Sequence, residues 1–144
     1  MSGDGSAPPA ATIASRRLTL VPSGRPVDVE LDAPARRRTG EWACAYRIRG
    51  IGRVRAGRAQ GEDGFHALQQ AFSAVRRALE PFAAQLTWTG EPGELGLPEP
   101  IPDYFGGEFR RRLERLVRQE TEREVQRLKG AALATTAPPP GARR

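Results

Sequence analysis

The sequence predicts an α+β fold: a four-stranded antiparallel meander with one long helix packed on one face, plus a C-terminal charged helix. The first observation is a period of two in residues 41–49, where small or charged residues alternate with Trp42, Cys44, Tyr46 and Ile48. That alternation is typical of a strand with one buried face. The second is a period of three to four over residues 65–86, which lines one side of a helix. A strand face and a helix face of this width can cover each other.

Two strands are expected before this segment. The first covers residues 12–21, with Ile13, Leu18 and Leu20 facing inward and a bulge near residues 15–17. Turn residues at 22–26 lead into the second strand, residues 27–31. There the apolar Val27, Val29 and Leu31 alternate with the acidic Asp28, Glu30 and Asp32.

The central strand, residues 42–49, turns at Gly50 and Gly52 into a fourth strand over residues 53–60. Its inward positions are expected to be Val54 and Ala56. Asp63 is a good helix N-cap, since its carboxylate accepts from the free amides of the first turn. The helix spans residues 63–86, with a break or kink near Pro81, and a strand-like piece follows at 86–89. The predicted apolar face is Phe65, Leu68, Phe72, Val75, Leu79, Phe82 and Leu86.

The chain divides into four segments by composition. Residues 1–11 and 130–144 are rich in Gly, Ala, Ser, Thr and Pro, and we expect a disordered N-terminal segment and a disordered tail. Residues 12–107 form the α+β domain, and residues 108–129 form the C-terminal helix. Residues 90–107 hold too many glycines and prolines for regular structure, yet include Leu95, Leu97, Ile101, Tyr104 and Phe105. This segment is therefore expected to lie across the core.

The C-terminal helix is strongly charged. Its apolar side is short, consisting of Phe109, Leu113, Leu116 and Val117, and later only Val125 and Leu128. Arginine and glutamate recur four residues apart, a spacing that stabilises a helix by a few tenths of a kcal/mol per pair. The second half of the helix is expected to be solvated, or joined to a partner helix along a narrow seam.

Composition restricts the location and the partners. The chain has 144 residues and a net charge of +6, and arginine supplies every basic residue except Lys129. It shows neither an apolar run long enough for a membrane span nor a secretory signal. Cys44 is the only cysteine, so no intramolecular disulfide forms. A reduced, cytoplasmic location is expected.

Candidate reactive groups are few, and we assign no catalytic residue, cofactor-binding residue or metal ligand. His66 is the only histidine and is expected to face solvent in the first helical turn, near Glu62 and Asp63. Cys44 lies among core-defining residues, where a cysteine behaves as a small apolar side chain. The predicted core-defining residues are Trp42, Cys44, Tyr46, Leu68 and Phe72. An enzyme with a site around Asp63 and His66, under the 90–107 loop, remains an alternative.

The arginines are the strongest functional signal. Alternation places Arg47, Arg49, Arg53 and Arg55 on the outer face of the sheet. In a meander the acids of the second strand lie beside the first two of these, so cross-strand ion pairs are favoured over nucleic-acid binding. Two further clusters define a candidate interaction surface: Arg36, Arg37 and Arg38, and Arg110, Arg111 and Arg112.

Residues 42–71 carry a resemblance. The pattern Trp42-x-Cys44-x-Tyr46-x-Ile48-x-Gly50, followed by Gly61-x-Asp63-x-x-x-Ala67-Leu68-x-x-Ala71, resembles a family of small uncharacterised bacterial proteins classed as a domain of unknown function. Trp88 and Gly96-Leu97-Pro98 are similar to the C-terminal part of its pattern, so that the resemblance covers residues 12–105. It implies a small α+β domain and brings no activity, cofactor or catalytic residue.

These observations predict a non-catalytic cytoplasmic protein-interaction module, of an immunity-type or regulatory kind. Its partner is an unknown protein, or a second copy joined through the helix at residues 108–129. Nucleic-acid binding through the arginine clusters is the alternative, and no membrane association is expected.

Overall fold

The computed structural model describes residues 10–102 and 104–136. The chain divides between Pro100 and Ile101 into two compact units, of which the first contains the sheet and the second contains the C-terminal helix. The predicted disordered segments, residues 1–11 and 137–144 of the tail, lie almost wholly outside the described residues. Only Ala10 and Ala11 of the first are included, and the backbone carbonyl of Ala11 accepts from the N–H of Ala33 at 2.8 Å.

The first unit is built on an antiparallel sheet. Its strands among the described residues are β1 (Thr12–Leu20), β2 (Arg25–Asp32), β3 (Ala35–Arg36), β4 (Trp42–Arg49), β5 (Arg55–Gly61) and β6 (Leu86–Thr87). The four long strands lie in the order β1, β2, β4, β5, which is the predicted meander. The two short strands extend it: β3 pairs with the start of β4, and β6 pairs with the end of β1. The α+β prediction is confirmed.

One face of the sheet is covered by α1 (Gly64–Leu79), which continues as a 3₁₀ helix (Glu80–Gln85). Asp63 caps α1 as predicted, because its carboxylate accepts from the N–H of His66 at 2.7 Å. The α-helix ends at Leu79, two residues before Pro81, also as predicted. The fully covered core side chains from strands and helix include Leu18, Val27, Cys44, Ile48, Val75, Leu79 and Leu86.

The buried side of α1 carries smaller side chains than the sequence suggested. Its buried residues are Ala67, Ala71, Val75 and Leu79, whereas Phe65 is 73% exposed. At 100° per residue, Phe65 lies about 80° around the helix from Val75, on the far margin of the buried side. Including Phe65 in the apolar face was therefore wrong. The two alanines let the helix backbone approach the sheet closely.

Gly61 shows how close that approach is. A Cβ at this position would lie 2.2 Å from the backbone nitrogen of Ala67, so only glycine leaves room for α1 above the end of β5. Gly57 is equally restricted, since its Cβ would overlap the Tyr46 ring on the neighbouring strand. The small residues of β5 thus leave room for α1 and for the Tyr46 side chain of β4 to pack against this strand.

Two strand predictions were wrong in register. The irregularity of β1 falls between Thr12 and Ala14, so Ile13 is 52% exposed instead of inward. In the fourth strand Arg55 pairs with Ile48 and shares its inner face, while Val54 is 61% exposed and Ala56 is exposed. A one-residue change of register moves every side chain of a strand to the opposite face, which explains both differences.

The glycine- and proline-rich segment follows the core as far as Pro100. Leu95 is buried and Leu97 packs against the core cluster. Backbone hydrogen bonds from Trp88 N–H to Glu94 C=O (2.8 Å) and from Gly93 N–H to Leu86 C=O (2.9 Å) fold the segment back on β6. The expectation holds for this part, whereas Tyr104 and Phe105, which belong to the second unit, are 77% and 61% exposed.

The second unit contains α2 (Gly107–Thr136), a 30-residue helix. It is longer than predicted: residues 130–136 are helical and do not belong to a disordered tail. Gly130 weakens a helix but does not end it when alanines and a leucine follow. At the start of α2 the Phe105 ring contacts two other aromatic rings. It lies tilted against Tyr104, with centroids 4.4 Å apart, and edge-to-face with Phe109, with centroids 5.1 Å apart.

Candidate interaction surfaces

The outer face of the sheet carries a network of ion pairs centred on Arg47. Its guanidinium donates to both carboxylate oxygens of Asp32, at 2.7 and 2.9 Å, and to Glu30 at 3.1 Å. Glu30 also accepts from Arg49 at 3.2 Å. Thr12 joins β1 to the network, since its hydroxyl donates to Asp32 at 3.2 Å and accepts from Arg47 at 3.0 Å. The predicted pairing of β2 acids with Arg47 and Arg49 is confirmed.

Asp32 is the buried member of this network, with only 5% of its surface exposed. The hydrogen bonds from Arg47 lower the pKa of Asp32, against the opposing effect of burial. The same hydrogen bonds raise the pKa of Arg47. Both groups therefore stay charged at neutral pH, and the network links three neighbouring strands.

The remaining outer-face arginines fall into two groups. Arg17 pairs with Asp28 at 2.8 Å, and this hydrogen bond lowers the pKa of Asp28. Arg58 on β5 lies opposite Ala45 of β4 and has no acidic neighbour across the strand. Arg55 does not belong to this face: its guanidinium donates to the carbonyl of Ile51 at 3.0 Å and lies 4.7 Å from the centre of the Phe82 ring.

The predicted cluster Arg36, Arg37 and Arg38 lies at β3 and the turn that follows it. Arg36 donates to the carbonyl of Gly40 at 3.1 Å, and Arg37 pairs with Glu41 at 3.4 Å. All three arginines are exposed. Two of them therefore organise the turn before β4, while Arg38 has no side-chain partner among the described residues.

The second predicted cluster lies in the first turns of α2. Arg110 pairs with Glu114 at 3.1 Å, and the guanidinium of Arg112 lies 5.3 Å from the centre of the Phe109 ring. Arg111 has no acidic partner in the part of the chain that the structure describes. The two clusters thus belong to different compact units.

Apolar side chains of α2 are exposed from Leu116 onwards, whereas Phe109 and Leu113 are half-buried. Leu116 and Val117 are 53% and 58% exposed, and Val125 and Leu128 are 41% and 54% exposed. Charged side chains between them pair within the helix, with Arg123–Glu120 at 2.9 Å and Arg127–Glu124 at 2.5 Å. Helix-internal pairing leaves the apolar side chains as the part of this surface that gains most from contact with another molecule.

Glu62, Asp63 and His66 meet at the first turn of α1, and their contacts are those of a helix terminus. The Nδ1 atom of His66 accepts from the backbone N–H of Glu62 at 3.2 Å, and its Nε2 atom lies 3.0 Å from the Gln70 amide. Asp63 is engaged as the cap. Glu62 takes part through its backbone N–H and Asp63 through its carboxylate, and both contacts stabilise the start of the helix.

Cys44 lies in the core, fully covered, and its thiol donates to the carbonyl of Asp32 at 3.2 Å. Burial raises the pKa of Cys44, so the thiol is protonated at neutral pH. Trp42, Tyr46, Leu68 and Phe72 are partly buried and pack against the same core cluster. Within residues 10–102 and 104–136, no group of three or more His, Cys, Asp or Glu side chains is placed to hold a metal ion.

Arg16 is a contributor that pattern reasoning missed. It points inward from β1, donates to the carbonyls of Leu95 (3.2 Å) and Gly96, and lies 4.0 Å from the centre of the Trp88 ring. Alternation alone does show that positions 16, 18 and 20 share a face. A long side chain on an inner face at a sheet edge can reach around that edge, which is the signal that was available.

Two clefts adjoin the glycine- and proline-rich segment in the first unit. One, of about 310 Å³, lies between the end of α1 and residues 93–99 and is lined by charges of both signs, including Arg76, Glu80 and Glu94. The other, of about 170 Å³, lies between β1, β2 and α1, and its lining is mainly apolar, with Val29, Leu31 and Phe72. Leu97 borders both clefts, so the segment separates them.

Together these features define a small antiparallel sheet domain, covered by one helix and followed by a long charged helix. The chain matches the family model described as "Domain of unknown function (DUF6968)" over residues 14–99. Since this is more than half of the 144 residues, the chain belongs to that family. No curated protein and no solved structure gives a significant match.

The region matched by the family model lies within the first compact unit and ends where that unit ends. The family model ends at residue 99 and the first unit ends at Pro100, so α2 lies outside the family domain. The predicted resemblance to an uncharacterised domain is confirmed, over slightly fewer residues than the 12–105 expected. None of the helices in the described ranges is both long and apolar enough to cross a membrane.

Proposed function

We propose that this chain is a non-catalytic interaction module of the bacterial cytoplasm, of an immunity-type or regulatory kind, that binds a protein partner through α2. The observation that carries the proposal is the set of exposed apolar side chains on a helix in which Arg123 pairs with Glu120 and Arg127 pairs with Glu124. Val117 and Leu128 are eleven residues apart, about three helical turns, and so share one side of α2. Leu113 lies 40° from Val117 and 60° from Leu128 at 100° per residue. An amphipathic helix of this kind docks by its apolar side.

The test compares two variants of the full chain in the native host. The double variant Val117→Glu/Leu128→Glu places two carboxylates on the proposed contact side. The control, Arg123→Ala, breaks only the pair with Glu120 on the same helix. Circular dichroism verifies that both variants keep the helix.

Stoichiometric capture of a partner protein, or a dimeric mass by light scattering, is expected for the wild-type chain and the control and should be lost in the double variant. The mass distinguishes a partner protein from a second copy. A monomeric wild-type chain that captures no stoichiometric partner contradicts the proposal.

A second candidate function, nucleic-acid binding, is supported by the arrangement of arginines in the first half of α2. Arg111, Arg115 and Arg118 follow at intervals of four and three and therefore share one helix side. None of the three has an acidic partner among residues 104–136. Arginines in a row can follow a phosphate backbone.

Fluorescence anisotropy with labelled single-stranded and duplex oligonucleotides tests this candidate. Affinity should fall steeply with salt, and each arginine-to-glutamine variant should reduce the slope of log K against log salt by about one. The matched control is Arg123→Gln, because Arg123 already has a carboxylate partner. Absence of binding at low ionic strength ends this candidate.

A further inference from the structure

The β5 edge, residues Arg55–Gly61, is a strand edge without a neighbour. β5 pairs with β4 along all seven of its residues and with no other strand among those described. In an antiparallel pair alternate residues direct their N–H and C=O groups away from the neighbour. About half of the β5 residues therefore present unpaired backbone donors and acceptors at this edge, the arrangement that accepts an added strand.

The charges of the sheet indicate which strand would fit. Outer-face arginines on β1 and β4 each face an acid on β2: Arg17 faces Asp28, and Glu30 lies between Arg47 and Arg49. Arg58 faces Ala45 instead and is exposed, with no partner in residues 10–102 or 104–136. Among the outer-face arginines of the described strands, Arg58, on the open side of β5, is thus the one without an acidic neighbour. Arg53, just before the strand, is exposed and adds a second guanidinium without a partner among the described residues.

The inner side of β5 also suits an added strand. Apart from Arg55, whose guanidinium lies against the Phe82 ring, its inner positions are Gly57, Ala59 and Gly61, opposite Tyr46, Cys44 and Trp42. Side chains this small do not screen the outward-directed backbone groups of this edge, and the side of α1 that faces the sheet carries the small residues Ala67 and Ala71. An incoming strand can therefore place moderate apolar side chains on this face and acidic ones on the outer face.

We propose that the β5 edge binds an extended segment of a partner protein in which acidic and apolar residues alternate. β2 has this chemistry, Val-Asp-Val-Glu-Leu-Asp at residues 27–32, and it is the strand that already pairs with the arginines of β4. A second copy of this chain is disfavoured, because antiparallel pairing of β5 with another β5 about its centre brings the Arg58 side chains of the two copies together. This interaction goes beyond the one proposed for α2 and uses none of its residues.

The experiment titrates the full chain with capped peptides and follows binding by isothermal calorimetry and by NMR. The probe has the sequence Val-Asp-Val-Glu-Leu-Asp, and its neutral control is Val-Asn-Val-Gln-Leu-Asn. Two further versions of the probe are N-methylated at alternate residues, one at the odd and one at the even positions. Since an added strand uses only one of its edges, one methylated version should lose binding and the other should retain it.

The protein variant Arg58→Glu should weaken binding of the acidic probe about tenfold, because an attraction is replaced by repulsion. Arg25→Glu is the matched control, since Arg25 is likewise exposed and has no acidic partner among the described residues but lies at the first residue of β2, away from the β5 edge; its effect should stay within about twofold. NMR shifts of the backbone amides should be concentrated in β5.

Three results would overturn the proposal. The first is no binding of the acidic probe at millimolar concentration. The second is binding that survives both methylation patterns, because charge attraction alone would then suffice. The third is a dimer of the wild-type chain that Arg58→Glu disrupts, because the edge would then belong to a second copy.

Discussion

The two edges of the sheet differ: the β1 edge is covered and the β5 edge is open. Each has an arginine, the inward-pointing Arg16 on β1 and the outward-pointing Arg58 on β5. At the β1 edge, β6 pairs with Thr19 and Leu20. Arg16 donates hydrogen bonds to the carbonyls of residues 95 and 96 and so holds that segment beside β1. At the β5 edge, Arg58 has no partner and no segment among those described pairs with the strand. An arginine at a sheet edge therefore helps to cover that edge only when another segment brings carbonyls or an aromatic ring within its reach, as residues 88–96 do for Arg16.

The largest effect is expected at Gly61, which tests whether the open edge is nevertheless firmly held. Gly61→Ala should lower the free energy of unfolding by about 3 kcal/mol, because the added Cβ would lie 2.2 Å from the backbone of α1. Gly130→Ala is the control, since nothing lies within 4 Å of a Cβ there and alanine favours a helix. Denaturant unfolding measures both. Equal stability of Gly61→Ala and wild type would mean that α1 does not rest on β5.

Between the edges, the Arg47 network should contribute a smaller but clear effect. Arg47→Ala leaves the buried carboxylate of Asp32 without its main donor, and we expect a loss of about 2 kcal/mol in the free energy of unfolding at pH 7. Arg49→Ala removes an exposed partner of Glu30 and should cost less than about 1 kcal/mol. A reversed order of these two losses would contradict the central position given to Asp32.

The same network predicts a pH dependence. Because the pKa of Asp32 is lowered in the folded chain, its contribution is complete above the unfolded pKa of about 4 and is lost as pH falls through the folded pKa. Asp32→Asn should therefore flatten the fall in stability below about pH 4. Urea titrations from pH 2 to 7 measure this, and Asp28→Asn serves as the exposed comparison. Parallel curves for Asp32→Asn and wild type would exclude the contribution of Asp32.

Arg16→Ala addresses the closed edge directly. It removes the donor to the carbonyls of Leu95 and Gly96 and the contact with Trp88, so we expect a loss of about 1.5 kcal/mol. Trp88 fluorescence should shift as its ring loses the guanidinium. If hydrogen exchange in residues 93–97 stays at wild-type rates, Arg16 does not hold this segment in place.

Arg58→Ala is the matched change at the open edge and should have the smallest effect. With no partner across the strand, its loss should change the free energy of unfolding by less than about 0.5 kcal/mol. Thermal unfolding of the two alanine variants side by side sharpens the comparison of the edges. A loss at Arg58 as large as that at Arg16 would show that the β5 edge is already covered.

Local patterns predicted much of the first unit. The alternation at residues 42–49 predicted the bounds of β4, and the acids of β2 pair with Arg47 and Arg49 as their spacing required. Asp63 caps α1 because an aspartate before a helical run has a single favourable role. The family that residues 42–71 resembled is also the kind of family found.

Strand registers at the margins were not determined by the sequence. Residues 53–61 contain few large apolar side chains, so nothing in them distinguishes the two faces; the turn at Gly50 and Gly52 and the close approach of α1 at Gly61 decide the register instead. The position of the irregularity in β1 likewise depends on its pairing with β2.

The amino-acid pattern was enough for the α+β class, the core position of Cys44 and the capping role of Asp63, because each depends on neighbours a few residues away. The meander of long strands was predicted because strands that follow one another in the chain usually pair. The tertiary structure alone decided that Arg55 points inward, that Arg16 closes one edge, and that Arg58 is left without an acid beside it. Those outcomes depend on which strands lie next to each other and in what register, and such contacts join residues that are far apart in the chain.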